Sequence, residues 1–497
     1  LGVGDAADAW MAAFRIPNLL QNLFGEGVLS ASFIPVYARL LARGERDEAR
    51  RVANAVAGIL ALATSLLVVA GIAATPLLID LVAPGFEGAK RELTVRLVRI
   101  LFPGAGLLVF SAWCLGVLNS HRRFLLSYIA PVVWNAAIVA ALLVTGGAAG
   151  ESALVVAAAW GSVAGSLLQV AVQLPTVVRL AGRIRPTLAR DADGVRQTLR
   201  NFGPVFVGRG VVQISAYVDM MLASLVGTGA AAILGFAQTL YVLPVSLFGM
   251  AVSAAELPAM ASALGTEEEV AATLRARLAA GAARIAFLIV PSAAAFLAFG
   301  DLLAGALFES GAFDRRASLW VWATLAGYAI GLLATTHGRL YSSGFYALHD
   351  TRTPLRFAVV RVALSAALGW AAALTLPDAL GVDPLWGVAG LAAASGIAGW
   401  VELALLRHAL RRRIGVLPRG RALLPRLGLA AGAGAAAAWG VRLLLDGEAP
   451  LRVEAVLVAS TFGLTYFAVC WALGVSAMRD VVAALRRRTG RGSAAGG

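Results

Sequence analysis

The feature that most constrains this chain is a succession of long, continuously apolar blocks, separated by arginine-rich or glycine- and proline-rich stretches. Most blocks reach or exceed the ~20 residues that an α-helix needs to cross a hydrocarbon core about 30 Å thick. A helix satisfies its own backbone groups in lipid, whereas the strands of a membrane barrel would alternate in polarity. With 59% hydrophobic and 14% charged residues among 497, the composition does not suit a water-soluble fold. The sequence therefore predicts an all-α, polytopic membrane protein.

The apolar blocks predict thirteen spans, and the charges between them predict an orientation. The spans are expected at residues 5–41, 53–82, 94–118, 124–145, 152–177, 201–226, 230–262, 280–306, 319–345, 355–376, 385–406, 423–445 and 453–474. Arginine is concentrated in the loops 41–51, 119–123, 179–200, 275–284, 349–356 and 407–426 and in the tail 479–491. Alternating loops such as 146–152, 227–231, 377–383 and 446–450 are poor in it. The positive-inside rule therefore places the C-terminus in the cytoplasm. Thirteen spans would put the first residues outside, so we expect a first helix to be missing from this chain and fourteen in the intact protein.

A faint internal repeat, with a period of about 225 to 230 residues, predicts two similar halves. Leu118-Asn119-Ser120-His121-Arg122 recurs as Leu348-His349-Asp350-Thr351-Arg352, and the prolines of the first span, Pro17 and Pro35, are answered by Pro244 and Pro258. We therefore expect two parallel six-helix bundles, at 1–177 (lacking its first helix) and 201–406. A cytoplasmic linker at 178–200 would join them, and 407–497 would add two more membrane helices and a basic tail. Parallel repeats predict a substrate cavity at their interface.

The net charge of +14 does not indicate nucleic acid, because the basic residues are spread over short interhelical loops. Cys114 and Cys470 lie inside apolar segments far apart in sequence, which implies neither a disulfide nor a metal site. No HExxH, Walker or GxSxG motif is present, and the four histidines are scattered. The sequence favours a transporter over an enzyme.

Ionisable residues inside the predicted spans are the best pointers to function, because an unpaired charge in hydrocarbon is costly. Arg15, Arg209 and Arg339 lie deep, beside helix-breaking residues, and their planar guanidinium groups suit bidentate binding of phosphate oxygens. The alternative is that such residues form structural ion pairs. Arg96, Arg361 and Glu402 lie near span ends, where snorkelling to the headgroups or ion pairing is equally compatible with the sequence. Asp219 and Glu256 are the candidate acids for coupling to an ion.

The first block is interrupted by Pro17-Asn18, by Gly25-Glu26-Gly27 and by Pro35. Interruptions leave backbone groups free, which is tolerated at membrane depth only where they face protein or a water-filled cavity. We expect this helix to bend at Pro17, Gly25, Gly27 and Pro35 and to line the cavity. Pro244 is the corresponding break in the second half.

Several motifs resemble the MurJ (MviN) family of lipid II flippases. They are Asp8-Ala9-Trp10, Phe14-Arg15-Ile16-Pro17-Asn18-Leu19-Leu20, Glu26-Gly27, Ala83-Pro84-Gly85-Phe86, Pro131-Val132-Val133-Trp134-Asn135 and Asp350-Thr351-Arg352-Thr353-Pro354. The resemblance implies a fourteen-helix member of the MATE-like multidrug/oligosaccharidyl-lipid/polysaccharide exporter superfamily. It also implies outward flipping of lipid II, the undecaprenyl-pyrophosphate-linked peptidoglycan precursor, by alternating access across the bacterial inner membrane. Carried over to this chain, the substrate-contacting residues are Asp8, Arg15, Asn18, Glu26 and Arg339, to which the depth argument adds Arg209.

The chain departs from the family pattern in two places: Gln21 stands where relatives often carry arginine, and Gln238-Thr239 replaces a segment that often reads Asp-Arg, so two cavity cations of the family pattern are lacking. Span 355–376 has neither Asp nor Asn, so a sodium site like that of some relatives is not expected there.

No cofactor is expected, and a coupling ion would be Na⁺ or H⁺. The expected partners are lipid II or a similar polyprenyl-pyrophosphate-linked glycan and the phospholipid bilayer, with no nucleic acid and with the protein as a monomer. The alternatives are an exporter of another polyprenyl-linked glycan, a MATE-like cation-coupled antiporter, a membrane glycosyltransferase and a non-transporting scaffold.

Overall fold

The structure is a computed structural model that describes residues 1–146, 150–188, 193–262, 266–416, 423–445 and 449–478. The basic tail at 479–491 lies outside these residues, as do the side chains of Glu26 and Arg209. The helices are α1 (Asp5–Phe24), α2 (Glu26–Ser32), α3 (Ile34–Ala42), α4 (Arg46–Ala73), α5 (Thr75–Val82), α6 (Gly88–Ser120), α7 (Phe124–Thr145), α8 (Glu151–Ala181), α9 (Asp193–Val226), α10 (Ala230–Pro244), α11 (Ala251–Ala261), α12 (Glu267–Phe308), α13 (Arg315–Ala347), α14 (Arg352–Trp370), α15 (Leu376–Leu380), α16 (Trp386–Ile414), α17 (Leu423–Leu445) and α18 (Leu451–Ala472). Two π-helical turns, Val245–Met250 and Ala371–Thr375, join α10 to α11 and α14 to α15.

Eleven helical segments of the described chain are long and apolar enough to cross a membrane. Each predicted span coincides with helix, and α7 and α17 begin and end at the predicted residues. The prediction of an all-α polytopic membrane protein is therefore confirmed. The two six-helix bundles and the missing first helix stay predictions.

The first predicted span is divided into α1, α2 and α3, and the break between the first two lies at Gly25. A Cβ at Gly25 would lie 2.1 Å from the carbonyl oxygen of Gln21, so only glycine fits. Pro35 lies in the first turn of α3, where its missing N–H leaves no helical hydrogen bond unmade. α1 continues through Pro17 as a helix, and a bend at this residue stays a prediction. In the second half, the regular α-helix ends at Pro244, where the first π-helical turn follows.

The chain divides into two compact units, Val3–Ala232 and Ile233–Gly497, so the predicted linker at 178–200 lies inside the first unit. The first unit extends beyond residues 178–200 because the helix that follows them, α9, packs against α1, α2, α4 and α5. A connecting loop marks where the chain crosses between helices, whereas the compact unit is decided by the faces that a helix buries. The first unit's core is centred on fully buried side chains such as Trp113, Phe33 and Tyr37.

In the second unit, α13 and α16 pack closely through small residues. A Cβ at Gly331 would lie 2.3 Å from the Cα of Gly396, and one at Gly327 would lie 2.5 Å from the carbonyl oxygen of Ala389. Inside a bilayer no hydrophobic force drives helices together, so their association depends on van der Waals packing. Small residues such as glycine strengthen this packing because they let two helix backbones approach closely. This contact places Arg339 of α13 and Glu402 of α16 in the same unit.

Candidate functional site

Asp8, near the start of α1, is a buried acid with several hydrogen-bond partners in the first unit. Its side chain is fully buried and accepts hydrogen bonds from the backbone N–H groups of Gly229 and Ala232, at 2.7 and 2.8 Å. The ammonium group of Lys90 on α6 lies 2.9 Å from the same carboxylate and 2.6 Å from that of Asp5. Asp8 therefore ties the start of α1 to α6 and to the first residues of α10. These contacts are structural, and a contact of Asp8 with substrate stays a prediction.

The sequence analysis missed Lys90, which completes this network. It is the only lysine of the chain, and it also donates to the hydroxyl of Thr228 at 3.1 Å. The sequence offered one signal for Lys90: it is a single lysine beside a predicted span, in a chain whose other permanently charged basic side chains are arginines. Lysine suits the position, because a compact ammonium can reach two carboxylates and a hydroxyl that lie in different directions.

Arg15, two turns after Asp8, is half-buried and joined to α9. Its guanidinium donates to the carbonyl oxygen of Ala216 at 2.5 Å, while its own carbonyl accepts from the hydroxyl of Tyr217 at 2.9 Å. Asn18 lies one turn further along and is half-buried too. Arg15 is therefore tied to α9 within its own unit, through its guanidinium and through its backbone carbonyl.

In the second unit, Arg339 is exposed on α13 and interacts electrostatically with Glu402 of α16. Glu402 also forms an ion pair with Arg361 of α14, with 3.1 Å between the Nε and Oε2 atoms, and both side chains are largely buried. Of the two interpretations that the sequence left open for Arg361 and Glu402, snorkelling and ion pairing, the structure shows the ion pair. One acid faces two arginines, so this group of residues carries an excess of positive charge.

The two candidate acids for ion coupling are both buried. Glu256 on α11 pairs with Arg284 at 2.9 Å and lies 3.7 Å from Arg277, both on α12. One oxygen of Glu256 has no hydrogen-bond partner among the described residues. Asp219 lies on α9, with 7% of its surface exposed. A role for either residue in coupling to Na⁺ or H⁺ stays a prediction.

A family model described as "Lipid II flippase MurJ" matches residues 1–445, which is most of the chain. The chain belongs to the MurJ family. The probable lipid II flippase MurJ of Rhizobium meliloti (strain 1021) is 33% identical over 515 residues, covering 100% of this chain and 92% of that protein. The lipid II flippase MurJ of Burkholderia cenocepacia is 32% identical over 422 residues, covering 83% of this chain and 78% of its own length.

Solved structures give the same fold. A lipid II flippase MurJ in an inward closed conformation matches with a TM-score of 0.76 at 20% identity, covering 96% of this chain and 94% of that one. An inward-facing multidrug resistance MATE family transporter of the MOP superfamily matches with a TM-score of 0.67 at 18% identity, covering 84% and 92%. At these identities the similarity shows the fold alone, which is that of the MurJ and MATE transporters.

Within this MurJ family member, the two positions that depart from the family pattern on α10 have neutral contacts. The amide of Gln238 donates to the hydroxyl of Tyr328 at 2.9 Å, and the hydroxyl of Thr239 donates to the backbone oxygen of Gly235 at 3.0 Å. Tyr241 stacks on Tyr328 with 4.7 Å between ring centroids. A polar aromatic cluster therefore occupies this stretch of α10 and α13.

Proposed function

We propose that this chain is a lipid II flippase, moving the undecaprenyl-pyrophosphate-linked peptidoglycan precursor from the inner to the outer leaflet of the bacterial cytoplasmic membrane by alternating access. The observation that carries the proposal is the family match over residues 1–445, joined to relatives of the same description that align with 83% to 100% of the chain. The protein is on this account a transporter that makes and breaks no covalent bond.

The chemistry of the substrate gives Arg15 and Arg339 their proposed role. A diphosphate offers several anionic oxygens, and a guanidinium can bind two of them at once. The guanidinium of Arg15 is already oriented by its hydrogen bond to Ala216, so little rotamer freedom is lost when it meets a ligand. Arg339 is exposed beside the Arg361–Glu402 pair, where positive charge is in excess. We assign headgroup contact to these two residues and to Asn18, and a structural role to Asp8.

The remaining parts of the proposal concern the setting. We propose a monomer with the C-terminus in the cytoplasm, since the predicted inner loops carry the arginines. Energy would come from Na⁺ or H⁺ through Asp219 or Glu256, the two most buried acids besides Asp8 and Asp301 among the described residues. The MATE match supports the rocking motion expected of the fold and gives no reason to propose a drug as substrate.

The test is complementation of a bacterium depleted of its own flippase, combined with an assay of lipid II exposed on the outer leaflet. The wild-type chain should restore growth and outer-leaflet lipid II, while Arg15→Ala and Arg339→Ala should each lower flipping at least tenfold. Arg196→Ala is the matched control, because Arg196 is an exposed arginine whose partner is the exposed Asp193, 3.8 Å away. Failure of the wild type to flip lipid II while it flips another polyprenyl-linked glycan would replace the proposed substrate. Full activity of both arginine variants would remove their assignment.

A further inference from the structure

A groove of about 600 Å³ opens on the surface of the first unit between α6 and α8, next to the start of α5. We name it the α6–α8 groove. Its lining includes Pro76, Arg91, Arg96, Arg99, Pro103 and Trp160. Three arginines along a membrane-spanning helix are unusual, because each charged side chain at bilayer depth is costly unless it has a partner. The groove is not part of the sites described above.

The arginines of the groove differ in how they are paired. Arg91 donates to both oxygens of Asp80, at 2.8 and 3.1 Å. Arg96 and Arg99 are exposed, and neither takes part in an ion pair among the described residues. Glu92, an acid of the lining, is itself exposed. Three arginines thus face two acids, and the positive charge in excess lies at Arg96 and Arg99.

The spacing of Arg96 and Arg99 lets both side chains reach one anion. Residues three apart on a helix are neighbours on its surface, with about 5–6 Å between their Cβ atoms. Each guanidinium can present two parallel N–H groups to a phosphate. One phosphate group could therefore lie between the two side chains and accept hydrogen bonds from both.

The guanidinium groups of Arg96 and Arg99 can reach the level of the phosphate groups in a bilayer. α6 has 33 residues and is about 50 Å long, against a hydrocarbon core of about 30 Å, so about 10 Å extends at each end when the helix is centred. Arg96 and Arg99 lie about 12 and 16 Å along the axis from Gly88, and their side chains reach back toward the interface. By the positive-inside rule, the loop before Gly88 faces outward, which places the groove at the outer leaflet.

The apolar part of the groove favours a lipid over a soluble ion. Pro103 and Trp160 continue the lining from the arginines toward the bilayer centre, and Trp160 is 58% exposed. Tryptophan is typical of the membrane interface, where its ring packs on acyl chains. An inorganic anion would use only the guanidinium groups, whereas a phospholipid would fill both parts of the groove.

We propose that the α6–α8 groove binds an anionic phospholipid of the outer leaflet, with its phosphate between Arg96 and Arg99 and an acyl chain against Pro103 and Trp160. This site is separate from the proposed substrate site and does not depend on lipid II transport. The negative net charge of a lipid such as phosphatidylglycerol offsets the excess positive charge of the groove. A zwitterionic phospholipid brings its own cation and should bind more weakly.

Native mass spectrometry of the purified protein, titrated with phosphatidylglycerol, tests the proposal. The wild type should retain one phosphatidylglycerol more tightly than phosphatidylethanolamine, and Arg96→Gln with Arg99→Gln should weaken this binding about tenfold or more. The matched control is Arg316→Gln with Arg452→Gln, which removes two exposed arginines at the same predicted side of the second unit. Unchanged binding in the groove variant, or an equal loss in the control, would overturn the proposal.

Three further measurements distinguish the sources of phosphate and the effect of misfolding. Inorganic phosphate at millimolar concentration should not displace the bound lipid, and displacement would reassign the groove to a soluble anion. Undecaprenyl diphosphate should not compete at equal concentration, and competition would make the groove part of the transport route. If the double Gln variant does not fold, photoreactive phosphatidylglycerol on the wild type decides the matter: labelling of the segments around 96–103 and 160–163 supports the site, and labelling confined elsewhere refutes it.

Discussion

Arg442 of α17 donates two hydrogen bonds to Asp301 of α12, from its two terminal nitrogens to the two carboxylate oxygens, at 3.2 and 2.7 Å. The same carboxylate lies 2.6 Å from Arg315, and Arg442 also approaches Glu454 of α18 at 3.4 Å. Asp301 is 6% exposed. This network fastens the last two helices to the rest of the second unit at one end of α12, near the kink at Phe299.

Asp301→Asn should therefore loosen the attachment of α17 and α18. We expect a loss of about 2–3 kcal/mol in the free energy of unfolding, less than for a fully buried pair because Arg315 is half exposed. Chemical unfolding in detergent, followed by tryptophan fluorescence, measures the loss. Arg316→Gln is the control, since its pair with Asp383 is exposed and 3.4 Å long. An equal effect of the two substitutions would contradict the special role of Asp301.

Asp8→Asn should destabilise the first unit strongly. The amide would present its NH2 group to one of the two backbone donors, Gly229 or Ala232, and would leave the ammonium of Lys90 without one of its two carboxylates. Breaking such a buried pair costs about 3–5 kcal/mol. The thermal midpoint in nanodiscs should fall clearly, and Lys90→Met in the Asp8→Asn background should add less than it does alone. Asp47→Asn, which breaks an exposed pair with Arg50, should change little. Additive effects of the Asp8 and Lys90 substitutions would argue against their coupling.

Gly331→Ala should separate α13 from α16. The new methyl group would meet the backbone of Gly396 at 2.3 Å, and backbone atoms cannot move aside as a flexible side chain can. Overpacking of this kind costs about 1–3 kcal/mol, and the shift should also disturb Arg339. Stability and flipping rate should fall together. Gly432→Ala on α17 is the control, because no atom lies within 4 Å of its added Cβ. A wild-type rate for Gly331→Ala would show that this contact is not needed for transport.

Acidification should weaken the packing of α3 on the end of α6. Burial, followed by the positive charge of Arg46, lowers the pKa of His121 from its ordinary value of 6.5, and the ring nitrogen lies 3.2 Å from the hydroxyl of Tyr37. Because the folded pKa lies below the unfolded one, the stability that this group contributes is complete above about pH 6.5 and is lost as the pH falls through the folded value. Unfolding measured between pH 8 and pH 5 should show this loss. His121→Gln should have a flatter profile, and an identical profile would exclude His121 as the source.

The sequence alone predicted that lipid is the solvent of this chain, that its fold is helical and where its membrane spans lie. Span boundaries were accurate where an apolar block ends in a clear polar break, as at 124–145 and 423–445. They were less accurate where polar residues extend the helix into the loop, as in α12, which begins at Glu267 and not at residue 280. The break at Gly25 was readable, because only glycine fits that backbone, whereas Pro17 proved compatible with a continuous helix.

The amino-acid sequence by itself determined that the chain belongs in a membrane, that it crosses as helices and which spans carry charge, since hydrophobicity over ~20 residues is a local property. Only the tertiary structure decided what each charge does. Asp8 meets Lys90 across 82 positions, Arg15 is held by Ala216, Glu402 pairs with Arg361, and Arg96 and Arg99 are left facing outward. The physical reason is that a charge finds its partner through the packed faces of helices, and contacts such as that of Gly331 with Gly396 have no periodic signature along the chain.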